Sequence, residues 1–300
     1  MIPILFGVTV ITFLLFNVAA GNPAAMALGN HASAERIAQL ERELGLDKPL
    51  IYQYFDFVKQ VLTFDFGRSW STKQTISSMI LSGVGASLSL TVPSFFITLL
   101  ITVSISLLLT QFRGSVIDKS VIVVCLAALS ISSLVYILFF QYMFGYKVAL
   151  FPINGWDPSW VGRWEYLTLP IIIFVVIQVG SNMLYYRTIF LDEIFQDYVR
   201  TAKAKGLSQK VILFKHVLRN AMVPIITLIV IQMPFLILGS LLLESFFGIP
   251  GVGGLVVRAI NSSDFPVVKA MTVISSILYM IFQLLSDLLY AVVDPKIQLK

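Results

Sequence analysis

Few groups in this sequence are placed for covalent or acid–base chemistry. Its two histidines, His31 and His216, lie outside every long apolar run, and Asp287 is the one carboxylate inside such a run. An intramembrane aspartyl protease needs two such acids, and an intramembrane serine protease needs a histidine near its nucleophile, so neither constellation can be assembled. Cys125 stands alone, which excludes a disulfide within the chain and a cysteine-based zinc cluster. No glycine-rich loop ending in Gly-Lys-Ser or Gly-Lys-Thr is present to cradle nucleotide phosphates. Two stretches carry the remaining chemistry. DYVRTAKAKGLSQKVILFKHVLRN, residues 197–220, is the longest basic stretch of the chain, suited to an anionic surface or to a charged protein face. ESFFGIPGVGG, residues 244–254, sets four glycines and a proline behind Glu244, a composition that ends a helix and permits a re-entrant or scooped turn.

The elements that position these stretches are membrane spans. The chain is 57% hydrophobic and 12% charged, against roughly a quarter charged in a soluble domain. Apolar runs long enough to cross a ~30 Å hydrocarbon core occupy about 2–20, 86–110, 120–144, 166–187, 221–243 and 268–292. None alternates as an outer-membrane strand does, so the expected fold is an all-α membrane protein with six transmembrane helices. The first run lacks the positive n-region of a signal peptide and reads as a span. The expected organisation is a first transmembrane helix at 1–20, an external helical region at 21–85, and a core domain at 86–300 with a cytoplasmic loop at 188–220.

Loop charge sets the expected orientation, because Lys and Arg are retained in the cytoplasm. The segments 111–119 and 187–220 and the tail after 293 carry eleven Lys and Arg against five Asp and Glu, whereas the opposite side holds ten of each. The first side is therefore read as cytoplasmic, with both termini there. Trp70, Trp156, Trp160 and Trp164 then fall on the external side, where indole favours the water–lipid boundary.

In the external region, Ser33 is placed to cap a helix running to about Leu44 and stopped by Gly45. Pro49 suits the first turn of a second helix through about Leu62. Ile51, Tyr54, Phe55, Val58 and Leu62 share a helical spacing and are expected to form its packed face, on the membrane surface or on the ends of the spans. A ligand pocket there is the alternative. The glycine-rich loop reads either as a compact connection or as an external gate or binding-protein contact made by Glu244, Pro250, Gly251 and Gly253.

Within the basic stretch, Ile194, Phe195, Tyr198, Val199 and Ala202 fall on one helical face. Gly206 can close that helix in the left-handed conformation, Leu207 can make the contact that follows, and Ser208 can cap the next helix. Two helices joined by a sharp turn are expected, with Ala202, Ala204 and Gly206 keeping the surface low for an approaching protein. A basic amphipathic helix lying on anionic lipid is the competing reading.

The same residues carry a resemblance. DYVRTAKAKGL followed by HVLRNAMVP resembles the cytoplasmic loop of the integral-membrane permeases of bacterial ABC importers, in the dipeptide, oligopeptide and nickel group. The general form of that loop is Glu-Ala-Ala, three residues, Gly, nine residues, Ile-x-Leu-Pro. Aligned on Gly206, this chain keeps Ala202, Gly206 and Leu218 and follows the peptide-group variant elsewhere. AGNPA, ELGLDKPL, DFGRSW, GIPGVGG and SDLLYAVVDPKI are similar to segments of the same group in the same order. The long first external region resembles the first permease of a pair.

The resemblance implies a non-catalytic permease of the type I ABC importer kind in the bacterial inner membrane, forming half of a path for small peptides. It implies ATPase-coupling residues at Asp197, Tyr198, Arg200, Thr201, Ala202, Lys205, Gly206 and Leu207, and no cofactor in this chain, ATP and Mg being bound by partner ATPases. The implied partners are a second related permease, two ATPase subunits, an external substrate-binding protein and membrane lipid, with no nucleic acid. Nickel chelates stay open as cargo. An ion- or proton-coupled carrier is the alternative mechanism, disfavoured by spans that hold almost no ionisable groups.

Overall fold

The structure, a computed structural model, describes residues 2–19, 23–28, 33–43 and 45–293. These are helical apart from connections, the longest at 148–162, and one isolated antiparallel bridge between Arg68 and Thr75. His31 and the residues after Val293 lie outside the described residues, as does the side chain of Asp287. The chain divides into two units, Met1–Ser87 with Leu238–Ser245 and Pro250–Ile281, and Leu88–Ile237 with Phe246–Ile249 and Phe282–Lys300.

The first unit begins with α1 (Ile2–Leu14), which continues as a π-helical turn through Ala19. α2 (Pro23–Leu28), α3 (Ala34–Glu43) and α4 (Leu50–Thr63) follow. Ser33 Oγ accepts the Arg36 N–H at 3.3 Å, and Gly45 at φ +66 lets the Leu46 N–H reach the Glu41 carbonyl at 2.8 Å, so α3 starts and stops where its capping residues dictate. α4 buries Phe57 and Val61 with Tyr54 beside them, and leaves Ile51, Phe55 and Leu62 exposed. Of the face its spacing suggested, Tyr54 packs on this core, while Ile51, Phe55 and Leu62 turn away from it. In a helix apolar over most of its circumference, two overlapping stripes satisfy the same period, and only tertiary contact selects one.

The core of this unit joins Phe13, Phe57 and Val61 to Ile76 and Ile80 of α5 (Ile76–Leu109), to Val252 and Leu255 of α13 (Val252–Asn261), and to Val267 and Met271 of α14 (Phe265–Val293). Polar pins cross it. Asn17 donates to Gln53 Oε1 at 2.9 Å and accepts from Lys269 Nζ. Asp264, 3% exposed, accepts from Ser69 Oγ at 2.5 Å and from the N–H groups of Trp70 and Ser71, holding the turn that follows DFG against the start of α14.

The second unit contains α6 (Val116–Leu129), α7 (Ser133–Phe140), α8 (Arg163–Ile194), α9 (Asp197–Ala204), α10 (Gln209–Val211) and α11 (Leu218–Leu238). Among the described residues, four helical runs are long and apolar enough to cross a membrane: Ile76–Phe112, Arg163–Ile194, Gln209–Phe247 and Phe265–Ser286. A fifth is made only if Val116–Leu129 and Ser133–Lys147 count as one span, and these are bent by 90°. The continuous helix expected at 120–144 is thus broken. Ser130 turns its hydroxyl back to the Leu126 carbonyl at 2.9 Å, and Ser132 adopts an extended conformation ahead of α7. The apolar helix at Pro3–Asn17 is shorter than a full span.

Candidate functional site

The basic stretch folds as a short helix, a tight turn and a second helix that runs directly into a membrane-length run. α8 ends at Ile194 with Phe195 as its C-cap, Gln196 is extended, and α9 follows. Gly206, at φ +73, donates to the Lys203 carbonyl at 2.9 Å, and the Leu207 N–H reaches back to Ala202 at 3.3 Å. This pair of bonds satisfies the last carbonyls of α9 and reverses the chain. Ser208 takes the capping conformation without a side-chain hydrogen bond, and α10 passes through a π-helical segment, Ile212–Val217, into α11. The second helix is therefore the end of a long run rather than a separate docking element.

Position within α9 sorts the candidate residues. Val199 and Ala202 are buried among Tyr186, Phe190, Ile212, Leu213 and Val217, and burying a Val fully stabilises by about 1.5–3 kcal/mol. Ala202 thus sits inside the chain's own core and lends no surface to a partner. Asp197, Arg200, Thr201, Lys205 and Gly206 are exposed, and Leu207 is 39% exposed. Arg200 pairs with Asp197 at 3.2 Å, an exposed contact of little energetic weight. Tyr198 donates to Glu193 Oε2 at 2.7 Å; burial pushes its phenol up to about 12, so it remains a donor at physiological pH.

Asp118 and Arg187 make a bidentate pair in the second unit. Arg187 Nε and Nη2 each lie 2.7 Å from an Asp118 oxygen, the Gly114 N–H adds a third bond at 2.9 Å, and Asp118 is 2% exposed. Removing one partner of such a pair costs roughly 3–5 kcal/mol, so it fixes the start of α6 on α8. Sequence reasoning counted both residues as loop charge and missed their contact. Their placement at the same ends of adjacent spans was the available signal.

In the first unit, Glu244 of α12 (Leu241–Phe247) is fully buried. Its Oε1 accepts from Ser87 Oγ at 2.8 Å and from the Ser240 N–H at 3.1 Å, and Oε2 accepts from the Gly254 N–H at 2.8 Å. Ser87 Oγ in turn accepts the Val252 N–H at 2.8 Å. The carboxylate thus occupies the N-terminus of α13, where the helix dipole favours negative charge. A Cβ at Gly251 or Gly239 would collide with the Glu244 carboxyl, and one at Gly253 would lie 2.8 Å from the Ser240 backbone. Of the proposed external contact residues only Pro250 is exposed; Glu244, Gly251 and Gly253 form an internal clamp.

Residues 102–299 match the family model described as binding-protein-dependent transport system inner membrane component, and residues 1–91 match the N-terminal model of the same kind of component. A peptide transport system permease protein of Brucella abortus (strain 2308) is 32% identical over 300 residues, covering 99% of this chain and 96% of that protein. The glutathione transport system permease protein of Salmonella typhimurium is 31% identical over 300 residues, covering 100% of this chain and 96% of that protein. A helical chain with several membrane-length runs, a charged hairpin joined to two of them, and matches along almost its whole length belongs to the family of inner membrane components of binding-protein-dependent transport systems, as a non-catalytic permease subunit.

Proposed function

We propose that this permease forms half of the translocation path of an ATP-driven importer of small peptides. It works with a second related permease, two ATPase subunits that bind ATP and Mg, and an external substrate-binding protein. Peptide cargo is favoured by the names of the relatives, a peptide permease and a glutathione permease, glutathione being itself a small peptide. The observation that carries the reading is the hairpin at 196–208. α9 is anchored by buried Val199 and Ala202, turned by Gly206, and joined by short breaks to α8 before it and to the run containing α11 after it. A push on its exposed residues is transmitted to two membrane helices rather than absorbed by a loose loop. In the importer, α1, α5, the α6–α7 pair, α8, the α10–α12 run and α14 make six crossings.

Function is tested in proteoliposomes. The purified chain alone should not hydrolyse ATP, while the assembled importer should, faster with loaded binding protein and with peptide uptake. Hydrolysis by the isolated chain would remove the need for ATPase partners and overturn the reading.

Orientation gives a second test. With Cys125 replaced by Ser, single cysteines at the exposed positions Ser33 and Asn154 should react with an impermeant thiol reagent added outside intact cells. One at Ser208, also exposed, should react only after the membrane is opened. The reverse pattern would place the hairpin outside and end the coupling argument.

A further inference from the structure

Within the second unit, three helices turn side-chain amides into one small cavity. Gln178 and Asn182, one turn apart on α8, line a space of about 70 Å³ with Gln232 of α11 and Thr98 of α5, beside Phe95, Phe174, Phe235 and Leu236. Thr98 is 3% exposed, and its hydroxyl has no hydrogen-bond partner among the described residues. The amides of Gln178, Asn182 and Gln232 likewise make no hydrogen bond to described residues. No charged side chain lines the cavity.

Thr98 is costly as packing alone. A buried hydroxyl without a partner costs about 1–3 kcal/mol, and polar side chains in membrane helices ordinarily hydrogen-bond across to a neighbour. Here three half-buried amides and one buried hydroxyl, from three helices, line the same space. A carboxamide offers the same donor and acceptor pair as a peptide bond, and it does so without charge. The space can take a small polar group but cannot enclose a peptide, which suits a contact point along a path rather than a storage site. Phe95, Phe174, Phe235 and Leu236 supply an apolar wall that does not read side-chain charge.

We infer that Gln178, Asn182, Gln232 and Thr98 form a transit site that hydrogen-bonds the main-chain amides of the cargo as it passes mid-membrane, replacing the water it has lost. The inference rests on the peptide-importer reading and adds to it the residues of the path. Uncharged amides bind the backbone common to all peptides, and weak contacts of this kind allow entry and release.

The assembled importer is reconstituted in proteoliposomes, with binding protein loaded with trialanine or with glutathione. Gln178→Leu, Asn182→Leu and Gln232→Leu should each lower peptide uptake per ATP hydrolysed by about five- to tenfold, the loss of one or two hydrogen bonds. Binding-protein-stimulated hydrolysis should persist. Gln178→Asn and Asn182→Gln, which keep the amide, should retain more uptake than the Leu variants. Tyr185→Phe, on the exposed side of α8, should be unchanged. Unaltered uptake per ATP in the three Leu variants would overturn the transit site. Loss of ATPase or permease co-purification in those variants would overturn it too, assigning the amides to packing. Failure of the unsubstituted importer to take up either peptide would overturn the cargo reading and the site with it.

Discussion

Glu244→Gln should destabilise the permease by about 2–4 kcal/mol, a large effect for the exchange of one oxygen for one nitrogen. Both carboxylate oxygens are acceptors here, Oε1 for Ser87 and Ser240 and Oε2 for Gly254. A Gln side chain can serve one side only. Its amide nitrogen must then face an N–H or O–H donor, leaving two donors opposed in a site with no exposed surface. Hydrogen bonds to a charged group contribute about 1.5–3 kcal/mol, and a buried orphaned donor costs about 1–3. Ser87→Ala removes one arm only and should cost less than Glu244→Gln. In the double variant the two losses should not add, because they share one network. The midpoint of thermal unfolding in detergent measures all three. An unchanged midpoint for Glu244→Gln would mean that the carboxylate does not clamp α13.

Glu244 also marks where the sequence stopped being informative. The glycines after it announce a tight turn, with Glu244 at its root. What it approaches comes from Ser87, Ser240 and Gly254, of which Ser87 lies 157 residues away. No local pattern encodes such a partner. The same holds for Asp118 with Arg187, 69 residues apart, and for Asp264 with Ser69, 195 apart. Features written in short stretches were legible: the start of α3 at Ser33, its stop at Gly45 and the closure of α9 at Gly206 follow from capping chemistry that acts within six residues. Apolar length placed the four long runs within α5, α8, the α10–α12 run and α14. It did not reveal the 90° bend between α6 and α7, because Ser130 and Ser132 sit unremarkably inside an apolar run until their hydroxyl and backbone geometry is seen. Nor could it choose between the two stripes of α4.

Gly206→Val should reduce peptide uptake by the assembled importer at least about tenfold while leaving the permease present in the membrane. A Cβ at this position meets nothing within 4 Å, so the penalty is not crowding but the backbone itself. At φ +73 an L-residue loses about 1–2 kcal/mol, and a β-branched one more. The turn escapes that strain only by giving up its two closing bonds, Gly206 to Lys203 and Leu207 to Ala202. Because α10 leads without a loop into α11, the direction of the chain at 206 decides where α9 lies. If α9 follows the altered turn, Val199 and Ala202 leave their buried cluster, and the exposed ridge of Arg200, Thr201 and Lys205 moves with them. An energetic loss equal to tenfold in rate is only about 1.4 kcal/mol, within the backbone penalty alone. The strain falls on a connecting turn outside the apolar runs, so insertion should proceed normally. Gly206→Asn separates backbone from side chain: Asn enters the left-handed region more readily than Val and should restore part of the uptake and of the ATPase co-purification. A helix merely resting on anionic lipid would respond in the opposite order, with removal of Lys203 and Lys205 together doing more harm than Val at 206. Uptake and ATPase co-purification measured across these variants decide between the two, and wild-type uptake by Gly206→Val would eliminate coupling through this hairpin.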